Sequence, residues 1–238
     1  GLAVKAFRAA GGLGAPDQVA REALALERFG RALATGGSGA WVGEVTCPQV
    51  VVSLPEQGVL VTTWQAGVAL DDVLLGADVH ERRRLAGLVL DGLAAFHAAC
   101  REPYGDAHPG NVLVDGRRVV LLDPTAADPR HRAIQAGVPA LAADLGYWLH
   151  SATSQALGQA ARGQLRLAST RLRFAVELLR VAEATSTDAQ GLQRDVTTVA
   201  RRHHERIPAA GRGRAVRAVG CALVAAIERR PSREVGRV

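Results

Sequence analysis

The chain contains one lysine, Lys5, among 29 lysine and arginine residues, and one asparagine, Asn111, in 238 positions. Such a bias is typical of sequences that use arginine wherever a generic positive charge is sufficient. A lysine or asparagine that remains is expected at a position where arginine or aspartate would fail, because these side chains are not interchangeable at specific sites. We therefore begin with the chemistry that Lys5 and Asn111 could support.

Asn111 lies in a segment with the spacing D-x-x-x-x-N that begins at Asp106, and an apolar strand further along the chain ends at Asp123. Glycine and proline between the first two residues predict that irregular backbone holds Asp106. The amide oxygen of Asn111 and the carboxylate of Asp123 are hard ligands that suit Mg²⁺, which keeps phosphate and water as its other ligands. Asp106 is then available to orient a hydroxyl group and accept its proton.

The same three residues have a simpler interpretation as turn formers, which is a common role for aspartate and asparagine. One match of D-x-x-x-x-N would not outweigh it. A functional site is favoured by the order in which the features occur along the chain. A lysine on a strand is followed by a glutamate on the apolar face of a helix, then by this loop, a hairpin and an aspartate at a strand end.

The helix glutamate is Glu22. The helix predicted around it has one apolar stripe, formed by Val19, Ala23, Leu26 and Leu33, and on a helical wheel Glu22 falls inside that stripe. A buried carboxylate is costly unless it is paired, and Lys5 on the preceding strand is the natural partner. The alternative is a tilted helix in which Glu22 reaches water.

A strand-rich first part and a helical second part are predicted from periodicity and from glycine and proline positions. The first part has a strand at 2–8, a helix at 16–33 between glycine loops (Gly11, Gly12, Gly14 and Gly36–Gly39), strands at 49–53 and 59–63, and a linker at Gln65–Gly67. The second part has a helix at 79–100, strands at 112–114 and 118–122, and helices at 139–151, 154–184, 188–206 and 213–229.

The composition is that of an ordinary globular protein, with 48% hydrophobic and 22% charged residues. The net charge of +6 favours anionic partners. A DNA or RNA partner is not expected, because aromatic residues make up only 4% and do not interleave with basic stretches. A nucleic-acid binder remains as an option that rests on charge alone.

Three separated cysteines without a C-x-x-C pair argue against a disulfide framework and a zinc site, and they favour reduced thiols in a cytoplasmic protein. The longest apolar runs, at about 85–100 and 218–227, are too short for the roughly 20 residues of a membrane-spanning helix or contain Asp91 and His97. A transmembrane segment is therefore not predicted.

The segment 104–114, Tyr-Gly-Asp-Ala-His-Pro-Gly-Asn-Val-Leu-Val, resembles the catalytic loop of the protein-kinase-like superfamily. The likeness is to its aminoglycoside-phosphotransferase branch and equally to its ubiquinone-biosynthesis (UbiB-type) atypical kinases. Residues 21–29 are similar to the first helix of these proteins, and residues 59–70 are similar to their interlobe hinge. The resemblance covers about residues 2–152.

The resemblance implies an α+β, bilobal fold with a small first lobe at 1–66 and a helical second lobe at 67–238. It implies ATP and Mg²⁺ as cofactors and a small-molecule hydroxyl as acceptor. By the resemblance, Lys5 would contact the phosphates and Glu22 would hold that lysine. Asp106 would act as the catalytic base, and Asn111 and Asp123 would bind the metal. The hinge would place Gln65 and Ala66 against the nucleotide.

Two further residues have counterparts in the family. Asp144 matches the buried aspartate that braces the catalytic loop, and an ordinary carboxylate near a helix N-terminus is an equal alternative. His108 matches the loop histidine, for which a hydrogen bond within the loop is expected rather than a catalytic role.

The chain also departs from the family pattern. The usual D-F-G is Asp123-Pro124-Thr125, Tyr104 stands where histidine usually precedes Gly-Asp, and no A-P-E segment follows. These departures argue against a conventional Ser/Thr kinase. A glycine-rich nucleotide loop should precede Lys5 by about two strands, so we expect either an upstream extension of the natural protein or a nucleotide without a roof. The alternative function is a non-catalytic, pseudokinase-like module that binds nucleotide or protein.

Overall fold

A computed structural model of the protein describes residues 1–8, 14–35, 45–124, 134–208 and 210–229. Within these ranges the protein is α+β, as predicted, with seven α-helices and two small sheets. The strands are β1 Leu2–Ala6, β2 Val45–Thr46, β3 Val50–Leu54, β4 Val59–Thr63, β5 Val68–Ala69, β6 Val112–Asp115 and β7 Arg118–Leu121. The helices are α1 Ala15–Ala34, α2 Leu70–Gly76, α3 Val79–Cys100, α4 Ala140–Ala160, α5 Leu165–Thr185, α6 Ala189–Glu205 and α7 Gly211–Glu228.

The first sheet is antiparallel with the strand order β1-β4-β3. Lys5 on β1 is paired with Leu60 on β4, and the side chains of β1 alternate between the two faces. Leu2 and Val4 therefore lie on the exposed face, whereas Lys5 points to the side of α1. This alternation turns the partly exposed lysine toward α1 although its strand is short.

The second sheet has the order β2-β7-β6-β5. The β6–β7 hairpin is antiparallel, as predicted, while β2 pairs with β7 in parallel. The predicted first part, 1–66, thus contributes one short strand to the sheet of the second part. The division into lobes at 66/67 stays a prediction.

Helix α3 occupies the predicted range and joins the two halves of the core. Its N-terminus is capped by Asp78, whose side chain accepts a hydrogen bond from the backbone N–H of Glu81 at 2.8 Å. Phe96 near its other end packs edge-on against Phe29 of α1 and Tyr104 of the following loop, with ring centroids 5.4 and 5.0 Å apart. This aromatic cluster fixes the loop against α1.

The predicted boundary between the helices 139–151 and 154–184 is wrong. Helix α4 continues to Ala160 because its small polar side chains are satisfied within the helix, as when the Thr153 hydroxyl donates to the Leu149 carbonyl at 2.8 Å. The chain turns later at Gly163, whose φ of +78° lies in the left-handed region that favours glycine. The other long helices and strands lie within a few residues of the predictions.

Three short elements were not predicted: β2, β5 and α2. The predicted glycine loops at Gly11–Gly12 and Gly36–Gly39 lie outside the described residues, and so does Thr125. In the described ranges, none of the helices combines the length and apolar character that crossing a membrane requires.

Candidate active site

Lys5 and Glu22 form the ion pair that the sequence predicted, in which Glu22 is buried and the Lys5 side chain is 38% exposed. The Lys5 ammonium donates to both carboxylate oxygens, at 3.0 Å to Oε1 and 2.8 Å to Oε2. Glu22 is only 3% exposed, so its alternative orientation toward water is wrong. The flanking residues of α1, including Val19 and Leu26, are buried as well, which shows that the carboxylate lies on the core-facing side of the helix.

The electrostatics of the pair depend on a third group, Asp123. Burial alone would lower the pKa of Lys5, but the attraction of Glu22 and Asp123 outweighs it, and the pKa of the ammonium is raised. Burial raises the pKa of Glu22 to about 7, and the attraction of Lys5 offsets only part of this effect. The carboxylates of Asp123 and Asp106 raise it further, so the site has an excess of negative charge that a cation can neutralise.

Asp123 is held at the end of β7 by an unusual backbone conformation. Its φ is +52°, in the left-handed region that non-glycine residues seldom occupy. This turn of the backbone directs the side chain toward β1, where Oδ1 lies 3.2 Å from the Lys5 ammonium. The lysine therefore contacts carboxylates from a helix and from a strand end at the same time.

The loop before β6 brings Asn111 to Asp106, as the spacing predicted. The Asn111 amide nitrogen donates to the backbone carbonyl of Asp106 at 3.0 Å and to its Oδ2 at 3.1 Å. The backbone carbonyl of Asn111 accepts from the N–H of Leu122 at 2.8 Å. This backbone bond places Asn111 beside the residue that precedes Asp123, so all three predicted catalytic residues lie in one region.

The Asp106 carboxylate accepts a hydrogen bond from Asn111 at Oδ2, and His108 Nε2 lies 3.6 Å from Oδ1. Burial would raise its pKa, but the favourable interactions with His108, Tyr147 and Asn111 outweigh burial and hold the pKa below the ordinary value. His108 Nδ1 also accepts from the backbone N–H of Gly110 at 3.0 Å, which confirms the expected bond within the loop. Asp106 is thus an ionised acceptor that the Asn111 amide holds within the loop.

Asp144, on α4, braces the loop that precedes Asp106. Of its two interpretations, the structure therefore supports the brace and not an ordinary carboxylate near a helix N-terminus. It is fully buried, and its carboxylate accepts from the backbone N–H groups of Tyr104 at 2.7 Å and of Gly105 at 2.9 Å. His97 of α3 contacts the same carboxylate, with Nε2 2.6 Å from Oδ2. One buried side chain therefore fixes the backbone immediately before Asp106.

Tyr104 occupies the position at which the resemblance would place a histidine. Its side chain makes a hydrogen bond that supports the loop. Its hydroxyl donates to the backbone carbonyl of Leu122, the residue before Asp123. Burial raises its pKa well above the ordinary value, so the hydroxyl stays a donor. The tyrosine thereby ties the loop to the strand end that carries Asp123.

Gln65 and Ala66, the predicted nucleotide contacts, lie in the connection between β4 of the first sheet and β5 of the second. The Gln65 side chain donates to the Thr63 hydroxyl at 2.8 Å, and Ala66 is exposed. Their contact with a nucleotide stays a prediction.

The two residues predicted to bind Mg²⁺, Asn111 and Asp123, both carry oxygen donors. Among the described residues no group of three or more His, Cys, Asp or Glu side chains could hold a metal ion. Asn111 and Asp123 would contribute only two oxygen ligands, which suits an ion that takes its remaining ligands from phosphate and water.

Sequence reasoning missed two residues of the site, His97 and Tyr147. His97 lies on the inner side of α3, and its partner Asp144 is far away in sequence, so no local pattern indicated the contact. Tyr147 follows Asp144 at the i, i+3 spacing that puts two side chains on one helix face. That spacing was the available signal.

Comparison of the sequence with models of known protein families gives no match, and comparison with curated protein sequences gives none either.

Proposed function

We propose that the protein is an ATP- and Mg²⁺-dependent phosphotransferase of the protein-kinase-like type, which phosphorylates a hydroxyl group of a small molecule. The single observation that carries the proposal is the contact of Lys5 with both Glu22 and Asp123, at 2.8 and 3.2 Å. Phosphoryl transfer needs positioned charge rather than covalent chemistry from the protein, and this lysine is positioned by two carboxylates.

In the proposed reaction the acceptor oxygen attacks the γ-phosphorus of ATP, the bond from that phosphorus to the β,γ-bridging oxygen breaks, and ADP leaves. The acceptor proton passes to the Asp106 carboxylate, which its donors keep ionised before the reaction. Lys5 neutralises charge on the nucleotide phosphates. A Mg²⁺ ion held by Asn111 and Asp123 would supply further charge neutralisation at the phosphate oxygens.

The bilobal arrangement belongs to the same proposal. The first sheet with α1 would form the nucleotide-binding lobe, the segment with Gln65 and Ala66 would form the hinge, and the helices from α3 onward would receive the acceptor. The way the chain passes at this segment from β4 of one sheet to β5 of the other supports this assignment.

The depressed pKa of Asp106 favours a second candidate, a module that binds nucleotide without transferring phosphate. A carboxylate with several donors is a weak proton acceptor. Phosphoryl transfer tolerates a weak base because its transition state is loose, so we place the enzyme first.

Binding and transfer are tested separately. Thermal unfolding is followed with ATP alone, Mg²⁺ alone and both together, and transfer is followed with γ-³²P-labelled ATP and a panel of amino sugars, sugars and amino alcohols. We expect stabilisation by ATP with Mg²⁺, little by Mg²⁺ alone, and labelled product with one acceptor class. Asp106→Asn should lose transfer and keep the thermal shift.

The matched control is Asp115→Asn, at an exposed hairpin position, which should keep both signals. Stabilisation without any labelled product would favour the non-catalytic module. The absence of a nucleotide-dependent shift would contradict both candidates.

A further inference from the structure

The first sheet is apolar on both of its faces. Helix α1 packs on the inner face, to which Lys5 also points. On the opposite face the antiparallel register places side chains of the three strands in rows across the sheet, because residues two apart along a strand share a face. Two such rows form what we call the outer face: Val4, Val61 and Val52 in one row, and Ala6, Val59 and Leu54 in the next.

The outer face is exposed and carries no charge. Val4 is 71% exposed and Val52 is 41% exposed. An antiparallel sheet with a solvated face normally has polar residues on that face, yet Lys5, on the inner face, is the only charged residue in these three strands. A contiguous exposed apolar patch marks an interaction surface, so we expect a partner to cover the outer face.

The chemistry of the outer face favours a second copy of this chain as that partner. An acidic protein would bind this chain, of net charge +6, through charge pairs, and an anionic membrane would require lysine or arginine beside the apolar residues. The outer face supplies neither. Two positively charged copies repel each other wherever their charges approach, so they meet most favourably at an uncharged surface. Interfaces between identical subunits have this apolar, charge-depleted character.

The register makes the outer face complementary to itself. A two-fold axis parallel to β4 would lay β1 of one copy over β3 of the other. Val4 then faces Val52 of the second copy, Ala6 faces Leu54, and Val61 on the central strand faces its own counterpart. The small side chain of Ala6 leaves room for the larger Leu54, as in closely packed cores. Two sheets pack face to face in this way about 10 Å apart.

We propose that the outer face of the first sheet is a self-association surface, through which two copies of the chain form a two-fold sandwich of their first sheets. Three strands about 4.8 Å apart, with five residues each at a rise of about 3.3 Å, give a face of about 14 by 17 Å. So small a face buries less than the roughly 1,200 Å² in total at which standard interfaces begin. The dimer is therefore weak and reversible, with a dissociation constant on the order of 10–100 µM, and it forms independently of the proposed transfer reaction.

Analytical ultracentrifugation of the parent protein from about 1 to 300 µM tests the dimer. The average mass should rise from the 24.9 kDa of the monomer toward twice that value. Val52→Lys should raise the dissociation constant by more than about tenfold, because it buries an unpaired charge against the second copy. The control is Val219→Lys on α7, outside the first sheet, since Val219 is also 41% exposed, and it should dimerise as the parent does. Val4→Lys, at the more exposed position, should weaken the dimer even where Val52→Lys fails to fold.

Salt distinguishes this interface from one that depends on charge pairs. Raising the NaCl concentration from about 0.05 to 0.5 M screens the repulsion between the two positive copies, so the dimer should become tighter, whereas a charge-paired contact would become weaker. A monomer at every concentration would overturn the proposal, as would a dimer that salt weakens or one that both Val4→Lys and Val52→Lys retain. Binding of a monomeric parent protein to vesicles of phosphatidylserine and phosphatidylcholine would also overturn it and would assign the outer face to a membrane.

Discussion

The ammonium group of Lys5 lies 2.8 Å from Glu22 Oε2 although the two residues are separated by 17 positions in sequence. The same group lies 3.2 Å from Asp123 Oδ1. One lysine therefore joins the first sheet, helix α1 and the end of β7. A change in any of these three residues should affect the other two, and this connection underlies the first prediction.

Glu22→Gln should weaken binding of ATP with Mg²⁺ by about tenfold. The amide cannot neutralise Lys5, so the ammonium loses one of the two carboxylates that position it. Isothermal titration calorimetry measures the affinity. The control is Glu27→Gln at an exposed position of the same helix, which should bind as the parent does, and an unchanged affinity of Glu22→Gln would contradict the role of the pair.

Asp144→Asn should destabilise the protein by about 3 kcal/mol and reduce transfer. The amide offers one acceptor oxygen where the carboxylate serves Tyr104, Gly105 and His97, and a buried donor without a partner is costly. Urea unfolding at neutral pH measures the stability. Asp72→Asn, at an exposed position in the first turn of α2, is the control, and equal stability of the two variants would show that Asp144 is not a brace.

His204 should make the protein less stable in mild acid. Burial lowers its pKa from 6.5 to about 4, so between these values the unfolded chain binds a proton that the folded protein does not. Stability is therefore unaffected above pH 6.5 and falls as the pH drops from 6.5 toward 4, by about 3 kcal/mol in all.

Urea unfolding between pH 7 and pH 4.5 tests this dependence. The slope of stability against pH should be smaller in His204→Gln than in the parent, since glutamine does not titrate. His80→Gln, at an exposed position of α3, should keep the parent slope. The same slope in all three proteins would exclude His204 as its source.

Gly146→Ala should destabilise the protein by about 2 kcal/mol, because α4 and α6 are in contact at this residue. An added Cβ would lie 2.6 Å from Val199 Cβ and 2.9 Å from the Val196 carbonyl oxygen. Gly87→Ala is the matched comparison, since nothing lies within 4 Å of its Cβ, and it should stabilise the protein by about 0.5 kcal/mol through helix propensity. Thermal unfolding distinguishes the two, and equal shifts would contradict the close approach of the helices.

The ion pair could be predicted because both of its residues were conspicuous in sequence. Glu22 interrupts an apolar stripe, and a buried carboxylate requires a positive partner, of which Lys5 was the evident one. The third member, the contact with Asp123, could not be predicted from pattern, because it depends on a left-handed backbone conformation that aspartate seldom adopts.

Helices were predicted correctly where the apolar periodicity extends over many residues. The predicted helix boundary was wrong where small polar residues interrupt that periodicity. Ser151 and Thr153 resemble a break in sequence, yet both are buried within α4. The strands β2 and β5 have two residues each, which is too short for an alternation to appear. Their pairing is a property of the assembled sheet.

The brace at Asp144 also sets an order of events during synthesis. The hydrogen bond from the Tyr104 N–H to Asp144 spans 40 positions. The loop with Asp106 therefore leaves the ribosome well before Asp144, the residue that fixes the loop backbone. A nascent chain that ends before α4 carries every residue of the ion pair and of the loop, but it has no carboxylate to organise the loop. The proposed activity would therefore begin only when α4 has left the ribosome and docked.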